Sequence, residues 1–72
     1  MTKMDRLENA LKKAYGKNVV LMESDDKYCI ARYEKGGRIE VVTLMHNWDT
    51  VFIGHYFTSI ENAWKDYYKR VK

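Results

Sequence analysis

Apolar residues near the start of the chain recur at helical spacing and predict an amphipathic helix over residues 4–15. The apolar positions share one side of that helix, and they are Met4, Leu7, Ala10, Leu11, Ala14 and Tyr15. Thr2 and Asp5 have the spacing of a capping box, and Gly16 is suited to the left-handed position after the last turn. The pattern therefore predicts where this helix begins and where it ends.

The hydrophobic period then changes from helical to extended, and the segment up to Phe57 predicts four strands. The predicted strands cover residues 18–24, 27–34, 38–45 and 51–57, and the turns between them contain Asp25-Asp26, Gly36-Gly37 and Asn47-Trp48-Asp49. Because every connection is short, we expect an antiparallel meander in the order 1-2-3-4.

The hairpin between the second and third strands admits two registers. A three-residue loop sets Arg32 opposite Glu40, which is a pair of opposite charge. A two-residue loop instead sets Arg32 against Val41 and Tyr33 against Glu40. Charge pairing and apolar pairing both favour the three-residue loop, which is the register predicted here.

A second set of apolar residues at helical spacing follows the strands and predicts a helix over residues 59–71, with Thr58 and Glu61 as its capping box. Its apolar positions are Ile60, Ala63, Trp64, Tyr67, Tyr68 and Val71. The chain is thus predicted to be a single α+β domain over residues 1–72, in the order helix, four strands, helix. Because two short helices normally cover one face of a four-stranded sheet, we expect both helices on the same face.

The opposite face of the predicted sheet would then carry apolar side chains that no helix covers. In the predicted register these are Tyr28, Ile30, Val42 and Leu44. Contiguous exposed apolar patches mark interaction sites, and a chain of 72 residues is short for one stable core. We therefore expect a protein interface on this free face, in a homodimer or with another protein. A strongly twisted sheet with partly exposed aliphatic residues is the alternative.

Trp48 lies between Asn47 and Asp49 at the tip of a predicted turn, where tryptophan is unusual. An exposed aromatic side chain on a loop is a candidate anchor for a binding partner. The alternative is that its ring folds back over the edge of the core. We include Trp48 in the predicted protein interface and leave both alternatives open.

Residues that could carry chemistry lack the spacing that catalysis or metal binding requires. Cys29 lies in the middle of a predicted strand among apolar neighbours, where thiols are usually inert. His46 and His55 could join Cys29 at a zinc site, but the chain has no Cys-x-x-Cys or His-x₃-His pair. Asp25-Asp26 is not followed by a calcium-loop pattern, and no glycine-rich phosphate loop is present. We therefore expect no catalytic, cofactor or metal site, and a protein that is not an enzyme.

Composition narrows the class of protein further. A hydrophobic content of 46% argues for a folded core, and a net charge of +3 is only mildly basic. No apolar run approaches the roughly 18 residues that cross a membrane, no secretory leader is recognisable, and one cysteine excludes a disulfide framework. These features predict a cytoplasmic protein that does not bind membranes. The small size and the lack of a catalytic motif are typical of phage and mobile-element accessory proteins, including inhibitors of host systems.

Basic residues near the ends of both predicted helices favour a second function, nucleic-acid binding. They are Lys12, Lys13, Lys17, Lys65, Lys69, Arg70 and Lys72. The element order is similar to that of the double-stranded RNA-binding domain, but the lysine-rich helix start of that family falls here on residues 59–63, which contain no lysine. Lysines 65, 69 and 72 also fit the solvated side of an amphipathic helix. The sequence therefore predicts a protein-interaction or regulatory module, with nucleic-acid binding as the alternative and a small enzyme as the third possibility.

Overall fold

Two helices and a four-stranded antiparallel sheet make up the computed structural model, which describes residues 2–52 and 54–71. The elements are α1 (Lys3–Tyr15), β1 (Val20–Ser24), β2 (Tyr28–Lys35), β3 (Arg38–Met45), β4 (His55–Phe57) and α2 (Ile60–Arg70). The strands are all antiparallel and lie in the order β1-β2-β3-β4. The predicted fold class, element order and strand order are confirmed.

Each helix begins at a side-chain cap. The Thr2 hydroxyl accepts a hydrogen bond from the Asp5 N–H at 3.1 Å, and the Asp5 carboxylate accepts one from the Thr2 N–H at 3.3 Å. The predicted capping box of α1 is therefore confirmed. At α2, the cap is Ser59 and not Thr58, because the Ser59 hydroxyl accepts the N–H of Asn62 at 3.4 Å.

The β2–β3 hairpin closes in a two-residue loop, so the predicted register is wrong by one residue. Gly36 and Gly37 have φ angles of 58° and 77°, and two positive angles in succession are typical of a type I′ turn. Tyr33 consequently faces Glu40, and the predicted Arg32–Glu40 pair does not form. A type I′ turn matches the right-handed twist of the strands, and this backbone preference outweighs a surface charge pair worth well under about 1 kcal/mol.

The two helices pack on opposite faces of the sheet. A first core consists of Leu7, Leu11, Val19, Cys29, Ala31, Tyr33, Val42 and Leu44, and a second core consists of Ile30, Val41, Ala63 and Tyr67. Alternate residues of a strand point to opposite faces, and Ile30 accordingly lies in the second core while Ala31 lies in the first. Only α1 contributes to the first core, and only α2 contributes to the second. The expectation that both helices share one face is therefore wrong.

In the part of the chain that the structure describes, each face of the sheet is covered by a helix. Ile30, Val42 and Leu44 are 0% exposed, and Tyr28 is half-buried against the second core. These four residues line two different cores, so the predicted interface that combined them is wrong, and the homodimer prediction loses the surface on which it depended. Strands that do not alternate between apolar and polar residues are typical of a sheet covered on both faces.

The last strand is shorter than predicted. It has three residues, whereas the prediction covered 51–57, and Ile53 in that range lies outside the described residues. Immediately before β4, the backbone of Gly54 lies so close to β3 that a Cβ atom would overlap the carbonyl oxygen of Thr43. Only glycine therefore fits where the chain returns to the sheet.

Candidate functional site

Three tyrosines from three different elements meet at the hairpin end of the first core. Tyr15 ends α1, Tyr33 lies in β2, and Tyr56 lies in β4. The ring centroids of Tyr15 and Tyr33 are 4.8 Å apart, and the ring of Tyr56 is 6.3 Å from the first and 6.5 Å from the second. These are the separations of favourable aromatic pairs, so the three rings form one cluster.

Hydrogen bonds hold the hydroxyl groups of this cluster. The Tyr33 hydroxyl donates to Oε1 of Glu40 at 2.8 Å, because the two-residue loop places these residues directly opposite each other. The hydroxyl oxygens of Tyr15 and Tyr56 are 2.9 Å apart. Burial, together with these hydrogen bonds, raises the pKa of Tyr15 and the pKa of Tyr33 well above the ordinary 10.0. Both of these phenols are therefore neutral at physiological pH.

The cluster lines an open pocket of about 550 Å³, which we call the tyrosine pocket. Its lining residues are Ala14, Tyr15, Tyr33, Glu34, Lys35, Glu40 and Tyr56. Tyr33 is 7% exposed and Tyr56 is 53% exposed, so the pocket has a buried ring and an outer ring. Two glutamates and one lysine give the lining a net negative charge, although the whole chain carries +3. Among the described residues, Glu40 forms no ion pair.

A serine and a histidine also meet, in an arrangement that does not activate the serine. Ser24 Oγ lies 2.9 Å from His46 Nε2. The backbone N–H of Trp48 donates to His46 Nδ1 at 3.1 Å, so in the neutral ring the proton is on Nε2. Nε2 therefore donates, to Ser24 Oγ and to the carbonyl of Asp25 at 3.0 Å, and it cannot accept the serine proton. This 3%-exposed histidine holds the loop in place.

Cys29 is fully buried in the first core. Burial, and to a smaller extent the charge of Asp25, raises the pKa of the thiol to about 12. A protonated, inaccessible thiol is a poor nucleophile and a poor metal ligand. Within the part of the chain that the structure describes, no group of three or more His, Cys, Asp or Glu side chains could hold a metal ion.

A polar cluster around Asp66 joins the sheet to α2. Its carboxylate accepts hydrogen bonds from Thr43 Oγ1 at 2.5 Å, from His55 Nδ1 at 3.1 Å and from Arg70 Nε at 3.1 Å. Partial burial would raise the pKa of Asp66, but the hydrogen bonds from Thr43 and His55 and the charge of Arg70 outweigh it and hold the pKa below 3.8. The Thr43 hydroxyl donates to this carboxylate and is fully buried, so no substrate can reach it, and the cluster is an anchor for β4 and α2.

The basic residues of the nucleic-acid prediction lie on both sides of the sheet. Lys12 and Lys13 are in α1, Lys17 follows it, Lys65, Lys69 and Arg70 are in α2, and Lys72 lies outside the described residues. The side chain of Arg70 is 17% exposed, because it pairs with Asp66 and lies 5.6 Å from the ring centroid of Tyr28. The basic residues of α1 and those of α2 therefore belong to helices on opposite faces of the sheet.

Trp48 folds back over the edge of the first core. Its ring packs edge-on against the ring of His46 at 4.7 Å, and the ammonium group of Lys3 lies 5.7 Å from its centroid. Arg6 in α1 holds the same loop by donating to Asp49 at 2.7 Å. Of the two alternatives for Trp48, the structure has the one in which the ring covers the core.

The tyrosine pocket was not among the predicted sites. The sequence contained one usable signal, which was the Gly36-Gly37 pair. Read as a type I′ turn, it places Glu40 opposite Tyr33 and so brings a carboxylate next to a phenol. The approach of Tyr15 and Tyr56 has no local signal, because these residues are 41 positions apart in the chain.

Comparison with known proteins adds no relative to this picture. No protein-family model, no curated protein and no solved structure matches the chain. Among residues 2–52 and 54–71, no helix is both long enough and apolar enough to cross a membrane.

Proposed function

We propose that this chain is a non-enzymatic binding module that recognises a partner protein through the tyrosine pocket. The observation that carries the proposal is the convergence of Tyr15, Tyr33 and Tyr56 beside the carboxylate of Glu40. Tyrosine is enriched at the energetic centres of protein interfaces, because its ring supplies contact area and its hydroxyl supplies a hydrogen bond.

The form of the pocket supports a protein ligand. A volume of about 550 Å³ lies within the range of known ligand pockets. The pocket is open on its outer side, where Tyr56 is 53% exposed, so a side chain that projects from another protein can enter it. Buried Tyr33 and hydrogen-bonded Glu40 hold the inner wall in one geometry, which reduces the entropy lost on binding.

The non-enzymatic part of the proposal is supported by how the polar side chains are engaged. Ser24 faces the protonated nitrogen of His46, and Thr43 donates to the carboxylate of Asp66. The Ser24 hydroxyl faces no group that could take its proton, and nucleophilic catalysis needs such a base. The Thr43 hydroxyl faces a carboxylate of lowered pKa, but it is fully buried and out of reach of a substrate. These contacts are accounted for by the stability of the loop and of the sheet edge.

A matched set of variants tests the proposal. Tyr56→Ala and Glu40→Gln alter the pocket, and Tyr68→Ala removes a tyrosine of comparable exposure, 50% against 53%, from α2. Each tagged variant is used for affinity capture from cells that express the chain, after circular dichroism and urea unfolding have confirmed its fold. The captured protein is then purified, and its Kd for each variant is measured by calorimetry.

We expect the wild type and Tyr68→Ala to bind the captured protein equally well. Tyr56→Ala and Glu40→Gln should each weaken binding by about tenfold or more, as at interface residues of high energetic weight. Equal affinity for all four proteins would overturn the proposal, and so would the lack of any protein that the wild type captures and Tyr56→Ala does not. Salt-sensitive binding of nucleic acid that is lost in Lys65→Glu/Lys69→Glu would favour the alternative function.

A further inference from the structure

We infer that the tyrosine pocket takes a cationic side chain, an ammonium or a guanidinium group, from the partner protein. The inference deepens the proposed function and rests on it for the source of the cation. It is based on three observations, which are the arrangement of the three rings, the hydrogen bond from Tyr33 to Glu40, and the positions of the chain's own cations.

The planes of the three tyrosine rings are inclined to one another. The plane of Tyr56 makes angles of 62° with that of Tyr15 and 82° with that of Tyr33, whereas the latter two are inclined by 36°. Rings inclined in this way present their faces in different directions, and a cation that lies over any one of these faces is attracted to it.

Glu40 supplies a charge that is complementary to a cation. Among residues 2–52 and 54–71, Tyr33 donates the one hydrogen bond that the Glu40 carboxylate accepts, and a carboxylate has about four acceptor positions. The hydrogen bond orients the carboxylate and draws electron density toward the phenol ring, which strengthens the attraction of that ring for positive charge. A neutral apolar ligand would remove water from Glu40 without replacing the lost hydrogen bonds, and such a loss is costly.

Anionic ligands are disfavoured at the same position. Glu34 and Glu40 both line the pocket, and Lys35 offsets only one of these charges. Burial and hydrogen bonding raise the pKa of the Tyr33 phenol, so this ring enters the site as a neutral donor already bonded to Glu40. A phosphate or carboxylate ligand would therefore meet a net negative charge in the lining.

The chain has 13 lysine and arginine residues. Among the described residues, one of these, Lys35, lines the pocket, but it lies over none of the three rings. Within the described residues, the cations that lie over aromatic rings are Lys3 on Trp48 and both Lys27 and Arg70 on Tyr28. These rings lie outside the tyrosine pocket, so the three pocket rings keep their capacity to bind a cation.

Pairs of charged and neutral probes test the inference on the full chain. Choline is compared with 3,3-dimethylbutan-1-ol, which replaces its nitrogen by carbon, and N-acetylarginine amide is compared with N-acetylcitrulline amide, its neutral isostere. Binding is followed by chemical-shift changes in ¹H–¹⁵N spectra. The proteins are the wild type, Tyr56→Ala, Glu40→Gln and the control Tyr68→Ala.

We expect saturable shifts at the pocket residues with at least one cation, about tenfold tighter than with its neutral isostere. Glu40→Gln and Tyr56→Ala should weaken cation binding, and Tyr68→Ala should not. Tighter binding of choline than of the arginine derivative would identify an alkylated ammonium as the ligand. Tighter binding of the arginine derivative would identify a guanidinium.

Three outcomes overturn the inference. They are equal affinity for a cation and its neutral isostere, the lack of a saturable shift with either cation, and cation binding that persists in Glu40→Gln and Tyr56→Ala. Each outcome can be separated from failure of the proposed function. Pocket-dependent partner binding without cation preference overturns the ligand class alone, whereas cation binding with a partner that ignores the pocket variants overturns the function alone.

Discussion

Substitutions at Leu44 distinguish a sheet that is covered on both faces from a sheet with one free face. The first arrangement predicts a large loss of stability, and the second predicts a small one. The side chain of Leu44 is 0% exposed in the first core, whereas Ile39, in the same strand, is 52% exposed. Leu44→Ala should lower the free energy of unfolding by about 3–5 kcal/mol, the sum of lost transfer energy and a residual cavity. Ile39→Ala should cost less than about 1 kcal/mol, because half of its surface is already in water.

These losses are large compared with the stability of so short a chain. At roughly 0.05–0.15 kcal/mol per residue, a domain of 72 residues has a free energy of unfolding of about 4–11 kcal/mol. Leu44→Glu adds the cost of an unpaired carboxylate in an apolar core, so it should leave little folded protein. Ile39→Glu should fold, since the new carboxylate would remain in water.

Urea unfolding followed by tryptophan fluorescence measures these effects. Trp48 packs against the first core and Trp64 against the second, so Trp48→Phe and Trp64→Phe backgrounds report on each face of the sheet separately. We expect one coincident transition, because both cores share the sheet. A Leu44→Glu protein that unfolds at the wild-type urea concentration would refute the burial of Leu44, and with it the two-residue register of the hairpin.

Three further outcomes follow from particular contacts. Because the pKa of Asp66 is held below 3.8, its carboxylate stabilises the fold above that pH, and this stability is lost as the pH falls through the lower folded value. Asp66→Asn should therefore cost about 1–3 kcal/mol at pH 7, and this cost should decrease steadily as the pH falls below 3.8 in urea titrations. A cost that does not change with pH would contradict this explanation. Burial raises the pKa of the Cys29 thiol to about 12, so this thiol should not react with an aromatic disulfide reagent at pH 8 until urea unfolds the chain. Rapid reaction of the native protein would show that the thiol is accessible. Gly36→Asn should raise the free energy of unfolding by about 0.4–1 kcal/mol, and Gly36→Val should lower it. The reason is that asparagine tolerates the φ of 58° at this position and valine does not. Equal losses of thermal stability in the two variants would argue against the type I′ turn.

Local patterns were sufficient to predict which helices and strands form and the order of the strands, although β4 is shorter than predicted. The period of apolar residues marked both helices, and the Thr2–Asp5 pair marked the start of α1, because capping involves only residues three positions apart. Short connections then left the meander as the simplest order of strands, and the structure has that order.

Predicting the register of the β2–β3 hairpin required weighing the preference of a charge pair against the preference of the turn. The Arg32–Glu40 charge pair favoured one register and the Gly36-Gly37 turn favoured the other. Exposed charge pairs contribute little in water, whereas the turn has to match the twist along the whole length of both strands. Since a shift of one residue moves every β3 side chain to the opposite face, this single choice also decided which residues share a core.

The placement of the helices and the tyrosine pocket depend on contacts between residues that are distant in the sequence. The pattern of β2 and β3 showed apolar residues on both faces, but it could not distinguish a missing partner from a second helix, since either one removes the same surface from water. Tyr15, Tyr33 and Tyr56 lie on three elements, and their rings meet only after α1, β2 and β4 have packed around the first core. Packing of the elements therefore created the pocket, because the three tyrosines share no local pattern and the distances between their rings are set by the fold.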